Sequence, residues 1–106
     1  MLTHTEQVAI MKTLRERAAV YMPTGAVIED FGEDEFTVVK SCDESEVVIQ
    51  VKAMKVGEIR VRASWDSDWK TAEEARCAID TYSKMLDLAD YLEMKRDELV
   101  RAVAAV

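Results

Sequence analysis

The chain has 106 residues, of which 49% are hydrophobic and 33% are charged, and its formal net charge is -7. This composition is typical of one soluble globular domain with a modest core, and it excludes a disordered chain. An acidic surface repels nucleic acid and anionic membranes at long range, so we expect a protein partner with a basic surface.

The N-terminal segment predicts a helix. Thr3 and Glu6 have the spacing of a capping box, and apolar residues follow at helical intervals up to Tyr21. The Pro-Thr-Gly sequence at 23–25 ends this helix, because proline cannot continue it and glycine favours a turn.

The middle of the chain predicts four short strands separated by turn residues. We place them at residues 26–31, 35–40, 46–54 and 58–65. Apolar and polar residues alternate in the last two, which predicts that Val51 faces Val61 and Ala53 faces Ile59. A shift of one residue would oppose apolar and charged side chains.

The last third of the chain, residues 71–106, predicts one amphipathic helix without Gly or Pro. Thr71 and Glu74 form a second capping box at its start. The helix would be about 54 Å long, more than the sheet can cover. Beyond Arg96 its apolar tail must pack on helix one, a second copy or a target, unless it frays or breaks near Arg96 and folds back. We favour a homodimer, and the candidate dimer contacts are Leu99, Val100, Val103 and Val106.

The predicted fold class is therefore α+β, in two layers. An N-terminal helix, a four-stranded antiparallel β-meander and a long C-terminal helix follow one another in a single domain, residues 1–106. No linker, low-complexity segment or internal repeat divides the chain.

Both ends of the predicted sheet are acidic, because successive hairpin turns alternate between the two ends. The first end is also aromatic, with Trp65 close by, and its candidate partner-binding residues are Asp43, Glu44, Glu46, Asp66, Asp68, Trp69, Glu73 and Glu74. The second acidic end carries Glu29, Asp30, Glu33, Asp34 and Glu35, opposed by little but Lys55.

One face of the predicted sheet is unusual. Val27, Phe31, Val39 and Val48 form an apolar patch on the face that also carries Lys52 opposite Arg60. We expect Glu29 or Glu58 to offset this like-charge pair. Either helix one covers the patch or another chain must do so.

No residue pattern indicates catalysis, a metal or a cofactor. The single histidine, His4, lies at the terminus, and no serine or cysteine has an evident base. We interpret Cys42 and Cys77 as reduced thiols of a cytoplasmic protein, with a bridge between them as the alternative. The N-terminus lacks the features of a signal peptide, and no apolar run is long enough to span a membrane.

In size, acidity and α+β layout the chain resembles the small inhibitors of phages and mobile elements, such as anti-CRISPR and anti-restriction proteins. The resemblance covers no motif and assigns no residue. It implies stoichiometric inhibition in the host cytoplasm, with acidic surface occupying a basic nucleic-acid channel of a host complex. The alternatives are an acidic dimeric chaperone or adaptor, of the kind that escorts secreted proteins, and a structural subunit of an assembly.

Overall fold

Two helices and one antiparallel sheet follow each other along the chain. The computed structural model describes residues 2–42, 45–66 and 72–105, with the side chains at 42, 45, 66, 74 and 75 left out. The elements are α1 (His4–Tyr21), β1 (Val27–Asp30), β2 (Glu35–Cys42), β3 (Ser45–Ala53), β4 (Ile59–Asp66) and α2 (Ala72–Ala104). The predicted α+β fold class is confirmed.

The start of α1 is capped as its sequence predicts. The Glu6 backbone N–H donates to Thr3 Oγ1 at 3.2 Å, and the Thr3 N–H donates to Glu6 Oε1 at 2.8 Å. The Thr3 backbone hydrogen bond is the main reason that the pKa of Glu6 lies below its ordinary value. The helix ends where Met22 donates to the Ala18 carbonyl oxygen, just before Pro23. The second predicted capping box, at Thr71, lies outside the described residues.

The sheet has the strand order β1-β2-β3-β4, and each neighbouring pair is antiparallel. Val51 lies opposite Val61 and Ala53 opposite Ile59, so the predicted hairpin register is confirmed. The predicted strands leave residues 41–45 between them, but β2 continues to Cys42 and β3 begins at Ser45.

Both helices pack on the same face of the sheet, which we call the covered face. Its core comprises strand residues Phe36, Val38, Val47, Ile49, Val51 and Val61, α1 residues Ile10, Met11, Leu14 and Ala18, and α2 residues Met85, Leu88, Ala89 and Leu92. The buried Gln7 side chain ties α1 to the β3–β4 turn by donating to the carbonyl oxygens of Met54 at 2.9 Å and Glu58 at 3.0 Å. Helix one therefore does not cover the second face, which we call the open face.

Helix α2 is continuous to Ala104, and the molecule measures 52 × 21 × 21 Å. The alternatives of a break near Arg96 and a frayed tail are both wrong, because the helix runs through this position without interruption. Arg96 instead donates to the Ile59 carbonyl oxygen at 3.2 Å, which ties the helix to the start of β4.

The apolar tail of α2 finds part of its cover within the chain. Leu99, Val100 and Val103 are half-buried and pack against the core, as does Leu2. Val106 lies outside the described residues. The core thus extends past the end of the sheet, because Leu2, which precedes α1, also packs against it.

Cysteine 77, on α2, is disulfide-bonded. The interpretation of both cysteines as reduced thiols is therefore wrong. Disulfides persist in oxidising compartments, so cysteine usage gives no support to the expected cytoplasmic location.

Candidate functional site

The first acidic end is built by the β2–β3 turn, the end of β4 and the start of α2. Glu46 pairs with Asp66 in the sheet, as the alternation of hairpin turns predicts, and α2 begins nearby at Ala72. Glu46 and Glu73 are exposed. Of the other candidates there, Asp43, Glu44, Asp68 and Trp69 lie outside the described residues, as do the side chains of Asp66 and Glu74.

Trp65 occupies the inward side of β4, where it packs against the core. It is half-buried and stacks on Tyr82 of α2, with ring centroids 4.3 Å apart and an interplanar angle of 22°. Its role at the first acidic end is therefore to pack α2 against the sheet.

The second acidic end is more neutralised than its sequence indicates. Asp30 turns towards α1, where Arg15 Nε and Nη2 donate to its two carboxylate oxygens at 2.6 and 2.7 Å. This bidentate bond lowers the pKa of Asp30 and raises that of Arg15. His4 Nδ1 lies 3.9 Å from the Asp34 carboxylate, so the terminal histidine is not without a neighbour.

Glu29, Glu33 and Glu35 complete the second acidic end. Glu35 belongs to a hydrogen-bonded network on the open face, whereas Glu29 and Glu33 are exposed and make no ion pair within the described part of the chain. Only these last two carboxylates are wholly available to a partner, because tertiary packing brings Arg15 and Lys52 to this end.

A third acidic surface lies along the solvent side of α2. We define the acidic face of α2 by its exposed carboxylates Asp80, Asp87, Asp90, Glu93 and Asp97. Asp80 is paired with Lys84 at 3.0 Å and Asp97 with Arg96 at 3.1 Å. The other three have no ion-pair partner among the described residues.

This surface carries a signal that is visible in the sequence. Its four aspartates recur at intervals of seven, three and seven residues, which keeps them on one side of a helix. In the sequence they resemble the ordinary solvent side of an amphipathic helix. The structure adds that α2 runs almost the full length of the molecule, so the stripe is long.

The open face carries both apolar groups and a charged network. Arg60 Nη2 donates to Gln50 Oε1 at 3.0 Å, and Gln50 Nε2 donates to Glu35 Oε2 at 3.0 Å. Lys52 Nζ lies 3.8 Å from Glu35 Oε1. Lys52 is opposite Arg60 as predicted, but Glu35, and neither Glu29 nor Glu58, offsets their charge.

A cavity lies between the tail of α2, the start of α1 and the β3–β4 turn. Its volume is about 600 Å³, and its lining includes Leu2, Glu6, Glu58, Ile59, Val100 and Val103. Glu6 is engaged in capping α1, and Arg96, which also lines it, holds the Ile59 carbonyl oxygen. Glu6 and Arg96 are therefore committed to structural contacts.

In comparisons with known proteins, no family model, no curated protein and no solved structure matches this chain. Within the residues that the structure describes, no cluster of three metal-ligating side chains occurs. None of the described helices is both long and apolar enough to cross a membrane. Function must therefore be argued from the surfaces themselves.

Proposed function

We propose that this protein is a non-catalytic inhibitor that uses its acidic surface to occupy a basic, nucleic-acid-binding surface of a host protein complex. The acidic face of α2 is the observation that carries the proposal. It combines with the net charge of -7 to attract a basic partner at long range and to orient it on approach.

The dimensions of this face suit a nucleic-acid channel. From Asp80 to Asp97 the helix rises about 26 Å, which is the length of about eight base pairs of duplex DNA. Asp87, Asp90 and Glu93 fall in the middle of this span, free of ion pairs within the described residues. A partner that neutralises phosphates with Lys and Arg would find carboxylates along a comparable line.

The charges are also held in fixed positions. Met85, Leu88, Ala89 and Leu92 of the same helical segment are almost completely buried against the sheet and α1. A rigid helix presents its carboxylates with little loss of conformational entropy on binding, which favours affinity over a flexible acidic tail.

The proposal is tested by neutralising the acidic face of α2. Protein carrying Asp87→Asn, Asp90→Asn and Glu93→Gln would be compared with the unmodified protein in affinity capture from lysate of its source cells. We expect the unmodified protein to capture nucleic-acid-binding proteins that are released by added DNA or RNA and by raising NaCl from about 50 to 300 mM, which shortens the Debye length. The triple variant should lose these partners.

A matched control removes the same number of carboxylates elsewhere, through Glu33→Gln, Asp34→Asn and Glu58→Gln. These side chains are exposed, and none of them belongs to the acidic face of α2. Equal losses in both triple variants would show that total charge and not the acidic face of α2 drives binding. Capture that is unchanged by added salt, by added nucleic acid and by both triple variants would contradict the proposal.

The exposed apolar residues of the open face favour a second candidate, an adaptor or assembly subunit. Phe31 and Val27 remain more than half exposed. Binding of such a kind would resist salt and would be lost on Phe31→Asp, whereas neutralising α2 would leave it unchanged.

A further inference from the structure

The open face has the composition of an interface, and neither helix covers it. Val27, on the edge strand β1, is 54% exposed, and Phe31, in the turn after this strand, is 56% exposed. At the centre of the same face Thr37 is only 7% exposed, yet its Oγ1 has no hydrogen-bond partner within the described residues. A buried hydroxyl without a partner costs free energy, which a group from outside the chain would recover.

Charges on the open face are sorted by strand. In the observed register Glu29 of β1, Thr37, Gln50 and Arg62 of β4 form one row across the sheet. The next row continues from Phe31 through Glu35 and Lys52 to Arg60, since Phe31 N–H donates to the Glu35 carbonyl oxygen at 2.9 Å. Acidic groups thus occupy the β1–β2 half and basic groups the β3–β4 half of both rows.

We propose that the protein forms a two-fold symmetric dimer by stacking the open faces of two copies. An axis parallel to the strands, between β2 and β3, reverses the strand order of the second sheet. It leaves the position along the strands unchanged, so β1 of one copy faces β4 of the other. Each row is then opposed to the same row in reverse order, which is the condition for an isologous interface.

This arrangement pairs opposite charges in both of these rows. Glu29 faces the partner's Arg62, and Glu35 faces the partner's Lys52. Thr37 faces the partner's Gln50, whose amide supplies the hydrogen bond that Thr37 Oγ1 lacks. These contacts follow from the register and the symmetry axis alone.

The apolar row matches in part, because Val27 faces the partner's Ser64 in the reversed order. Val39 lies opposite Val48 in the sheet, and across the axis it faces the partner's Val48. Phe31 meets the partner's Arg60, a combination in which a guanidinium packs on an aromatic ring. Stacked sheets normally interdigitate such side chains at a separation of about 10 Å.

A second copy also fits the charge of the molecule better on this face than elsewhere. Two chains of net charge -7 repel each other, but the two charged rows of the open face carry two acidic groups, Glu29 and Glu35, and three basic groups, Lys52, Arg60 and Arg62.

Charge exchange between rows tests the symmetry directly, by sedimentation equilibrium of the full chain over a range of concentrations. We expect the unmodified protein to dimerise. Glu29→Arg alone and Arg62→Glu alone each create two like-charge contacts per dimer, and each should weaken dimerisation about tenfold or more. An equimolar mixture of the two variants should form a heterodimer of near-normal affinity, because both charge pairs are then complementary.

The double variant Glu29→Arg with Arg62→Glu should dimerise with itself for the same reason. Arg17→Glu and Glu33→Arg make the same charge changes off the open face and should leave the dimer intact. Circular dichroism would verify that each variant is folded, as expected for substitutions at exposed positions.

Three results would overturn the proposal. The first is a protein that stays monomeric at every concentration. This outcome includes a monomer that binds DNA through Arg62. Another is a dimer that Glu29→Arg and Arg62→Glu leave unchanged, which would place the interface elsewhere, for example on the tail of α2. The last is weakening by both single variants without rescue in the mixture, which would exclude this symmetry axis.

Discussion

The two faces of the sheet are formed by alternate residues of the same four strands, yet they differ in kind. The covered face is a continuous apolar surface in which Val38, Ile49 and Val51 are fully buried beneath α1 and α2. The open face mixes four apolar residues with a hydrogen-bonded network of charges. The covered face accounts for folding, because burial of apolar area is the main source of stability. The open face leaves Phe31 and Val27 more than half exposed, and we propose that it serves in association.

The largest expected effect comes from a cavity in the covered face. Ile49→Ala removes a fully buried side chain and should lower the free energy of unfolding by about 2–5 kcal/mol. Val48→Ala, its neighbour on the open face, is the matched control and should cost about 1 kcal/mol or less in the monomer. Chemical denaturation measures both values.

The comparison becomes sharper when protein concentration is varied. If the open face is buried in a dimer, the cost of Val48→Ala should grow with concentration, since dimerisation stabilises the folded state by mass action. The cost of Ile49→Ala should stay constant. Equal costs for the two substitutions at every concentration would contradict the distinction between the faces.

A smaller effect is expected from the charged network of the open face. Glu35→Gln removes the carboxylate that accepts from Gln50 and offsets Lys52 and Arg60. We expect a loss of about 0.5–1 kcal/mol, measured by denaturation, because two like charges then face each other without compensation. Glu33→Gln removes a neighbouring carboxylate outside the network and should change stability little. A loss that matches this control would exclude the network as a stabilising feature.

The smallest effect concerns the contact between the sheet edge and α1. The pKa of Asp30 is lowered in the folded protein by the Arg15 hydrogen bond, below its ordinary value of 3.8. Its stabilisation is therefore complete above the unfolded-state pKa and is lost as the pH falls through the folded-state pKa. Melting temperatures of the unmodified protein and Asp30→Asn should differ slightly at neutral pH and converge below pH 3.8. A difference that persists in acid would contradict this linkage, and Glu33→Gln again serves as the control.

Much of the fold could be predicted because its signals are local. The Thr3 cap, the proline at position 23 and the two-residue alternation around Val51 each report the conformation of their own segment. Long-range partners could not be predicted in the same way. Arg15 meets Asp30 and Arg96 meets the Ile59 carbonyl oxygen only because the helices cross the sheet at particular places.

The candidate surfaces show the same division. Sequence located acidic residues at both ends of the sheet and an apolar patch on its second face, but it overstated how many carboxylates at the second end are free. Asp30 pairs with Arg15 of α1, and Glu35 pairs with Lys52 of β3. No pattern of neighbouring residues in the sequence predicts these pairs. The spacing of the aspartates on the acidic face of α2 is visible in the sequence. That they lie on a helix almost as long as the molecule is known only from the structure.

By itself, the sequence determined the order of the elements, the hairpin register and the two sets of side chains on alternate sides of each strand. Chain periodicity is sufficient for these, because side-chain direction follows backbone geometry. Only the tertiary structure decided that both helices share one face and that the tail of α2 is half-covered by its own chain. Those outcomes depend on packing between segments distant in sequence, and they are what leaves the open face for a second copy.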